Sequence, residues 1–85
     1  MRGEVLLFLP VAGGLRITDE FQHTTYGQLT TTSLGRPHYP HQRERFRFCL
    51  SIDLGGGIVC TEVFDDLAQA QAFAETFLRR QGVLG

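Results

Sequence analysis

Lysine and asparagine are both absent from the 85 residues, so all eight basic side chains counted in the net charge are arginines. Without lysine, the glycine run at residues 55–57 is not expected to bind phosphate, because phosphate loops open a helix and often use a lysine. Because a strand and not a helix is expected to follow this run, the three glycines are predicted to form a turn. The preference for arginine is typical of a GC-rich genome and favours a bacterial or phage source.

Cysteine is scarce, and long hydrophobic runs are missing. Cys49 and Cys60 allow one disulfide at most. The apolar run from Val5 to Leu9 is far shorter than the roughly 18 residues of a membrane span, and no small-residue cleavage site of a signal peptide follows it. The net charge of −1 gives no whole-chain attraction to nucleic acid or to an anionic membrane. We therefore expect a cytoplasmic protein with reduced thiols and no membrane partner.

The composition is that of a small folded domain. Hydrophobic residues make up 42% of the chain, charged residues 20%, and there are seven phenylalanines. This is too apolar for a disordered chain. A chain of this length buries only about 60 to 65% of its unfolded surface, enough for one core. Residues 1–85 are therefore expected to form a single domain.

Hydrophobic periodicity predicts an α+β fold. Residues 45–54 alternate most clearly, with Phe46, Phe48 and Leu50 on one face and Arg45 and Arg47 on the other. The other segments follow from apolar runs bounded by glycine-rich turns. The predicted strands are 4–11, 15–21, 26–34, 45–54 and 58–64, and the predicted helix is 66–81. The expected architecture is an antiparallel sheet of four to five strands, two hairpins plus a middle strand, packed on one C-terminal amphipathic helix.

Within these segments, the spacing predicts which side chains meet. In the second strand, Leu15, Ile17 and Phe21 are expected on one face. Asp66 is expected to cap the helix and Gly82 to end it. The helix is predicted to pack on the sheet face that carries Phe46, Phe48, Leu50 and Ile52, through Leu67, Ala70, Ala74, Phe77 and Leu78.

The first strand is apolar on both sides, and one helix covers only one face of a sheet. The second face then needs another cover. Two alternatives are open: the 35–44 segment of the same chain, or a second subunit. We expect the second subunit and therefore a homodimer.

No residue set predicts catalysis, a metal or a cofactor. Strand parity places Cys49 and Cys60 on opposite faces of a hairpin, so they are expected to be unbonded structural thiols. His38 and His41 sit between prolines in an extended stretch, where positions three apart lie about 9 Å from each other, too far to share one ion. Asp65 and Asp66 are typical of a helix start. Because the sequence shows no convergent set of acid, base, nucleophile or metal ligands, the chain is predicted not to be an enzyme.

One stretch is locally basic and carries an aromatic residue. Arginine pairs with phosphate and aromatic rings stack on bases, so such a stretch suits nucleic acid. Tyrosine and arginine are also enriched at protein-binding hot spots, and a solvated loop with prolines is the plainest interpretation. The candidate partner-binding residues are Arg36, His38, Tyr39, His41, Arg43, Arg45 and Arg47.

The order strand, strand, helix over residues 45–82, with the segment FDDLAQAQAFA at 64–74, resembles two nucleic-acid-binding modules. They are the arm-binding domain of tyrosine recombinases and the second half of the double-stranded RNA-binding domain. The resemblance implies an alanine-rich helix packed on a sheet. The RNA-binding module opens this helix with lysines, whereas this chain has Asp65 and Asp66, which removes that module's binding chemistry.

The function expected from the sequence is that of a small non-enzymatic protein-binding module, an inhibitor or adaptor encoded by a bacterial or phage mobile element. Its partner is expected to be a protein. The alternative is a nucleic-acid-binding domain that uses the arginine-bearing sheet face and the proline-rich loop. Salt dependence of binding distinguishes the two, because phosphate contacts release counterions.

Overall fold

The computed structural model of the chain describes residues 5–35 and 45–84. They form one antiparallel sheet of five strands in the order β1-β2-β3-β4-β5, followed by a helix. The elements are β1 (Leu6–Val11), β2 (Gly14–Asp19), β3 (Thr25–Ser33), β4 (Phe46–Asp53), β5 (Val59–Phe64) and α1 (Leu67–Arg80). The predicted α+β class is confirmed, with five strands. Among the described residues, no helix combines the length and the apolar character needed to cross a membrane.

The helix packs on one face of the sheet, which we call the helix face. Strand register aligns its side chains across all five strands, as in the row Phe8–Ile17–Gly27–Ile52–Cys60. The helix contacts β4 and β5. The buried hydrophobic core lies between the two layers and consists of Leu6, Ile17, Leu29, Leu50, Ile52, Ala70, Ala74, Leu78 and Leu84.

Both ends of α1 are capped as predicted. The Asp66 carboxylate accepts a hydrogen bond of 2.7 Å from the Ala68 N–H, which satisfies one free donor of the first turn. At the other end, Gly82 has a φ of 76° and donates to the Arg79 carbonyl, while the Val83 N–H donates to the Leu78 carbonyl. This pair of bonds is a Schellman motif, which needs the left-handed conformation that glycine adopts readily. The reversal turns the chain so that Leu84 enters the core.

The predicted face of the second strand is wrong at Phe21. β2 ends at Asp19, and Phe21 is 61% exposed in the turn that follows. The Asp19 carboxylate accepts hydrogen bonds from the N–H groups of His23 and Thr24, and its carbonyl accepts from Gln22. These bonds fold residues 19–24 into a turn, which ends the alternation at Ile17.

The helix meets the predicted sheet face, but two aromatic side chains lie at the border of the contact. Phe46 is 40% exposed and Phe77 is half-buried, whereas Ala70, Ala74 and Leu78 are fully buried. The fully buried stripe of α1 consists of two small alanines and a leucine, and Phe77 packs against the core beside this stripe. Phe73 lies on the flank and its ring stands 5.3 Å from that of Phe64.

The two cysteines are free and lie on opposite faces, as predicted. Cys60 pairs with Ile52 on the helix face, while Cys49 pairs with Val63 one position further along. The turn between the two strands contains three glycines with positive φ at residues 55–57. The predicted hairpin is therefore confirmed in its register.

Candidate binding face of the sheet

The face of the sheet opposite the helix, which we call the open face, carries the side chains that alternate with the core. β1 contributes aliphatic residues, β2 to β4 contribute mainly hydroxyl and charged residues, and β5 contributes two valines and a threonine. Most are exposed or half-buried, and Thr18 is the fully buried exception. The register places on it Leu7, Leu9, Val11, Arg16, Thr18, Gln28, Thr30, Thr32, Arg47, Cys49, Ser51, Asp53, Val59, Thr61 and Val63.

Two of the predicted site residues are in the described part of the chain, and both belong to this face. Arg45 and Arg47 are exposed. The Arg45 carbonyl accepts a 2.9 Å hydrogen bond from the Leu34 N–H, which continues the pairing of β3 and β4 by one residue. Arg45 therefore projects to the same side as Arg47. Arg36, His38, Tyr39, His41 and Arg43 lie outside the described residues, so their role stays a prediction.

A third arginine joins the open face from a different strand. Arg16 lies on β2 in the cross-strand row Leu9–Arg16–Gln28–Ser51–Thr61 and is exposed. Relative to Arg47, it is displaced by four residues, or about 13 Å, along the strands and by about 10 Å across them. Arg16 was not among the predicted site residues, because its place on this face depends on the pairing of β2 with β3 and of β3 with β4.

The open face is positively charged. Among the described strand residues, Asp53 is the one acidic side chain on this face, and its carboxylate accepts a 2.9 Å hydrogen bond from the Gly55 N–H. Asp19 and Glu62 have the opposite parity and project to the helix face. Three arginines thus face solvent against one aspartate, and that aspartate is engaged with a turn.

Exposed aliphatic side chains lie at the β5 side of the open face. Val59 is 60% exposed and Val63 is 53% exposed, and these are the largest exposed fractions among the hydrophobic residues of the described strands. Thr61 lies between them, so β5 presents a β-branched row to solvent. At the arginine end, Leu34 is 41% exposed.

Aromatic side chains are missing from the described strand positions of this face. The strand phenylalanines Phe8, Phe46, Phe48 and Phe64 share the parity of the core and belong to the helix face. Tyr26 occupies the irregular position between the pairs of β2 and β3 and packs against the core. Burial, and to a smaller degree Asp19, raise the pKa of its phenol. The described strand residues of the open face therefore offer no ring on which a base can stack.

Within residues 5–35 and 45–84, no three side chains of the types His, Cys, Asp and Glu gather as metal ligands do. The two thiols lie in different surroundings. Burial, and to a smaller degree the Glu62 carboxylate, raise the pKa of the Cys60 thiol above its usual value. A raised pKa keeps this thiol protonated and weakly nucleophilic at neutral pH.

Replacing Glu62 with glutamine is expected to lower the pKa of Cys60, because the carboxylate repels the thiolate. In a Cys49→Ser background, iodoacetamide should then alkylate Cys60 faster at mildly alkaline pH. Glu20→Gln, a change in the turn after β2, is the control and should leave the rate unchanged. Equal rates for Glu62→Gln and the parent would contradict the electrostatic contribution.

A scan against protein-family models, a search of curated proteins and a search of solved structures each returned no match. The open face is characterised by its own residues. Arg16 on β2 is exposed, Arg45 and Arg47 are exposed beside and within the start of β4, and exposed valines lie along β5.

Proposed function

We propose that the chain is a non-enzymatic, cytoplasmic protein-binding module, an inhibitor or adaptor whose open face docks on an acidic protein surface. The observation that supports this proposal most directly is the composition of that face. Arg16, Arg45 and Arg47 are exposed on it, and Asp53 is the one acidic residue among its described strand positions. Charge complementarity with such a face selects an acidic partner and accelerates the encounter.

The apolar part of the face favours a protein over nucleic acid. Val59 and Val63 are more than half exposed, and burying them against a partner is favourable by about 25 cal/mol per Å² of apolar surface. Nucleic-acid-binding sheets instead use aromatic rings to stack bases, and the described strand residues place none on this face. Arginine is also among the residues enriched at protein interfaces.

The test compares two single substitutions that make the same change of charge. Arg47→Glu alters the open face, whereas Arg80→Glu alters an exposed position at the end of α1. A partner is first isolated with the wild-type chain from its own cells and purified, and its Kd is then measured by calorimetry. We expect Arg47→Glu to weaken binding by at least about tenfold and Arg80→Glu to leave it nearly unchanged.

Equal affinities for the two variants would overturn the assignment of the open face. A second titration uses labelled single-stranded and duplex oligonucleotides at increasing salt. Binding that falls steeply with salt, with a slope reduced by about one for each Arg→Ala change, would replace the protein partner with nucleic acid. Oligonucleotide binding that is absent at physiological salt supports the proposal.

A further inference from the structure

The two edge strands of the sheet differ in how they expose their backbone. β1 is one edge and turns into β2 through two residues between the paired Val11 and Gly14. A two-residue turn closes on a hydrogen-bonded pair, so alternation directs the backbone groups of Leu6, Phe8 and Pro10 outward. Proline has no N–H to offer. The outer edge of β1 is therefore interrupted, a common protection against strand pairing.

The outer edge of β5 has no such interruption. The Leu54 N–H donates to the Ile58 carbonyl at 3.0 Å, which makes these residues a hydrogen-bonded pair. Alternation along β4 and β5 then directs the N–H and C=O groups of Val59, Thr61 and Val63 away from β4. No hydrogen bond among the described residues engages these groups. Within residues 5–35 and 45–84, six backbone groups of β5 thus have no hydrogen-bond partner, and the strand contains neither proline nor lysine.

The order of side chains along this edge is symmetrical. The three outward residues are valine, threonine and valine, with Thr61 in the centre. A two-fold axis through Thr61 pairs it with Thr61 of the partner subunit and pairs Val59 with Val63 of the partner subunit. A strand that complements itself in this way meets the requirement of an isologous interface.

We propose that two copies of the chain associate by antiparallel pairing of their β5 edges, with Thr61 on the two-fold axis. The three outward residues of each copy then form hydrogen-bonded pairs, so all six free backbone groups of each edge are satisfied. The exposed valines gain β-branched cross-strand partners on the open face, a pairing that stabilises sheets. The two sheets become one continuous sheet of ten strands.

Neighbouring registers are less favourable. Moving the axis to Glu62 places that carboxylate directly opposite Glu62 of the partner subunit, and like charges in this position are destabilising. It also leaves Val59 without its valine partner. Moving the axis to Cys60 leaves Val63 unpaired in the same way and places two thiols opposite each other. The register centred on Thr61 places Cys60 opposite Glu62 of the partner subunit.

Sedimentation equilibrium at tens of micromolar tests the association and is independent of any ligand of the open face. We expect twice the 9.5 kDa mass of the chain. The double variant Val59→Lys/Val63→Lys sets lysine opposite lysine and should raise the dimer Kd by at least about tenfold. Its matched control, Val59→Glu/Val63→Lys, sets glutamate opposite lysine and should retain the dimer. A monomer mass for the wild-type chain, or equal dissociation of both variants, would overturn the proposal.

Cysteine cross-linking tests the register. In a Cys49→Ser background, Glu62→Cys places the new thiol opposite Cys60 of the partner subunit in a non-hydrogen-bonded pair, about 4.5 Å apart at Cα. Diamide should therefore yield a covalent dimer on a non-reducing gel. Adding Cys60→Ser leaves a thiol about 7 to 8 Å from its counterpart and should abolish the cross-link. Cross-linking by that variant, or failure of the first, would contradict the register.

Discussion

Replacing Gly27 with alanine is expected to destabilise the domain by about 3 kcal/mol or more, because an overpacked backbone contact cannot relax without moving a strand. A β-carbon at this position would lie 2.1 Å from the Ser51 carbonyl oxygen and 2.9 Å from the Ile52 Cα. Both atoms belong to the backbone of β4, so the pairing of β3 with β4 must distort. Urea unfolding followed by circular dichroism measures the loss.

Gly13 provides the matched control. It lies in the turn between β1 and β2 with a φ of 82°, and a β-carbon there would have no atom within 4 Å. Alanine at this position carries only the cost of a left-handed backbone, about 1 to 2 kcal/mol. If Gly13→Ala and Gly27→Ala lose the same stability, the close approach of β3 and β4 is not what requires glycine at residue 27.

Replacing Leu50 with alanine is expected to cost about 3 to 4 kcal/mol, within the range of buried leucine truncations. Leu50 is fully buried at the centre of β4, pairs with Leu29, and belongs to the core that α1 covers. The domain is short, so such a loss approaches its whole expected stability of about 5 kcal/mol. Val5→Ala, at a residue 52% exposed, should cost less than about 0.5 kcal/mol. A small change at Leu50 would place the core elsewhere.

The sequence predicted the elements that depend on nearby residues. The alternation in residues 45–54, the glycines at 55–57 and the caps of α1 are local signals, and each corresponds to the structure. The prediction that Phe21 shares a strand face with Ile17 was wrong, because the hydrogen bonds to Asp19 form a turn and end β2 earlier than the hydrophobic pattern does. The predicted contact of Phe77 with the core is confirmed, although its side chain is half-buried while Ala70, Ala74 and Leu78 are fully buried.

The candidate site was less predictable than the fold. Parity within one strand was enough to place Arg45 and Arg47 on one side. Adding Arg16 and the valines of β5 to the same surface required the register of four strands together. Register depends on a bulge between Ile17 and Thr18 and on turn geometry. A surface shared by distant strands is therefore hidden in a single sequence even where every strand is identified.

The neighbour-to-neighbour order of the strands has a consequence for how the chain folds. Each strand from β2 to β5 pairs with the strand that precedes it in the chain. Most contacts therefore form between residues close in sequence, and such topologies fold rapidly. β3 and β4 are joined by the longest connection, residues 34–45, yet they share seven paired positions, more than any other two strands. Closing this connection is the step with the largest loss of chain entropy, which grows only slowly with length. The transition state for folding is therefore expected to contain the paired strands β3 and β4. The strands on either side, β1 with β2 and β5, and the helix α1 are expected to join afterwards.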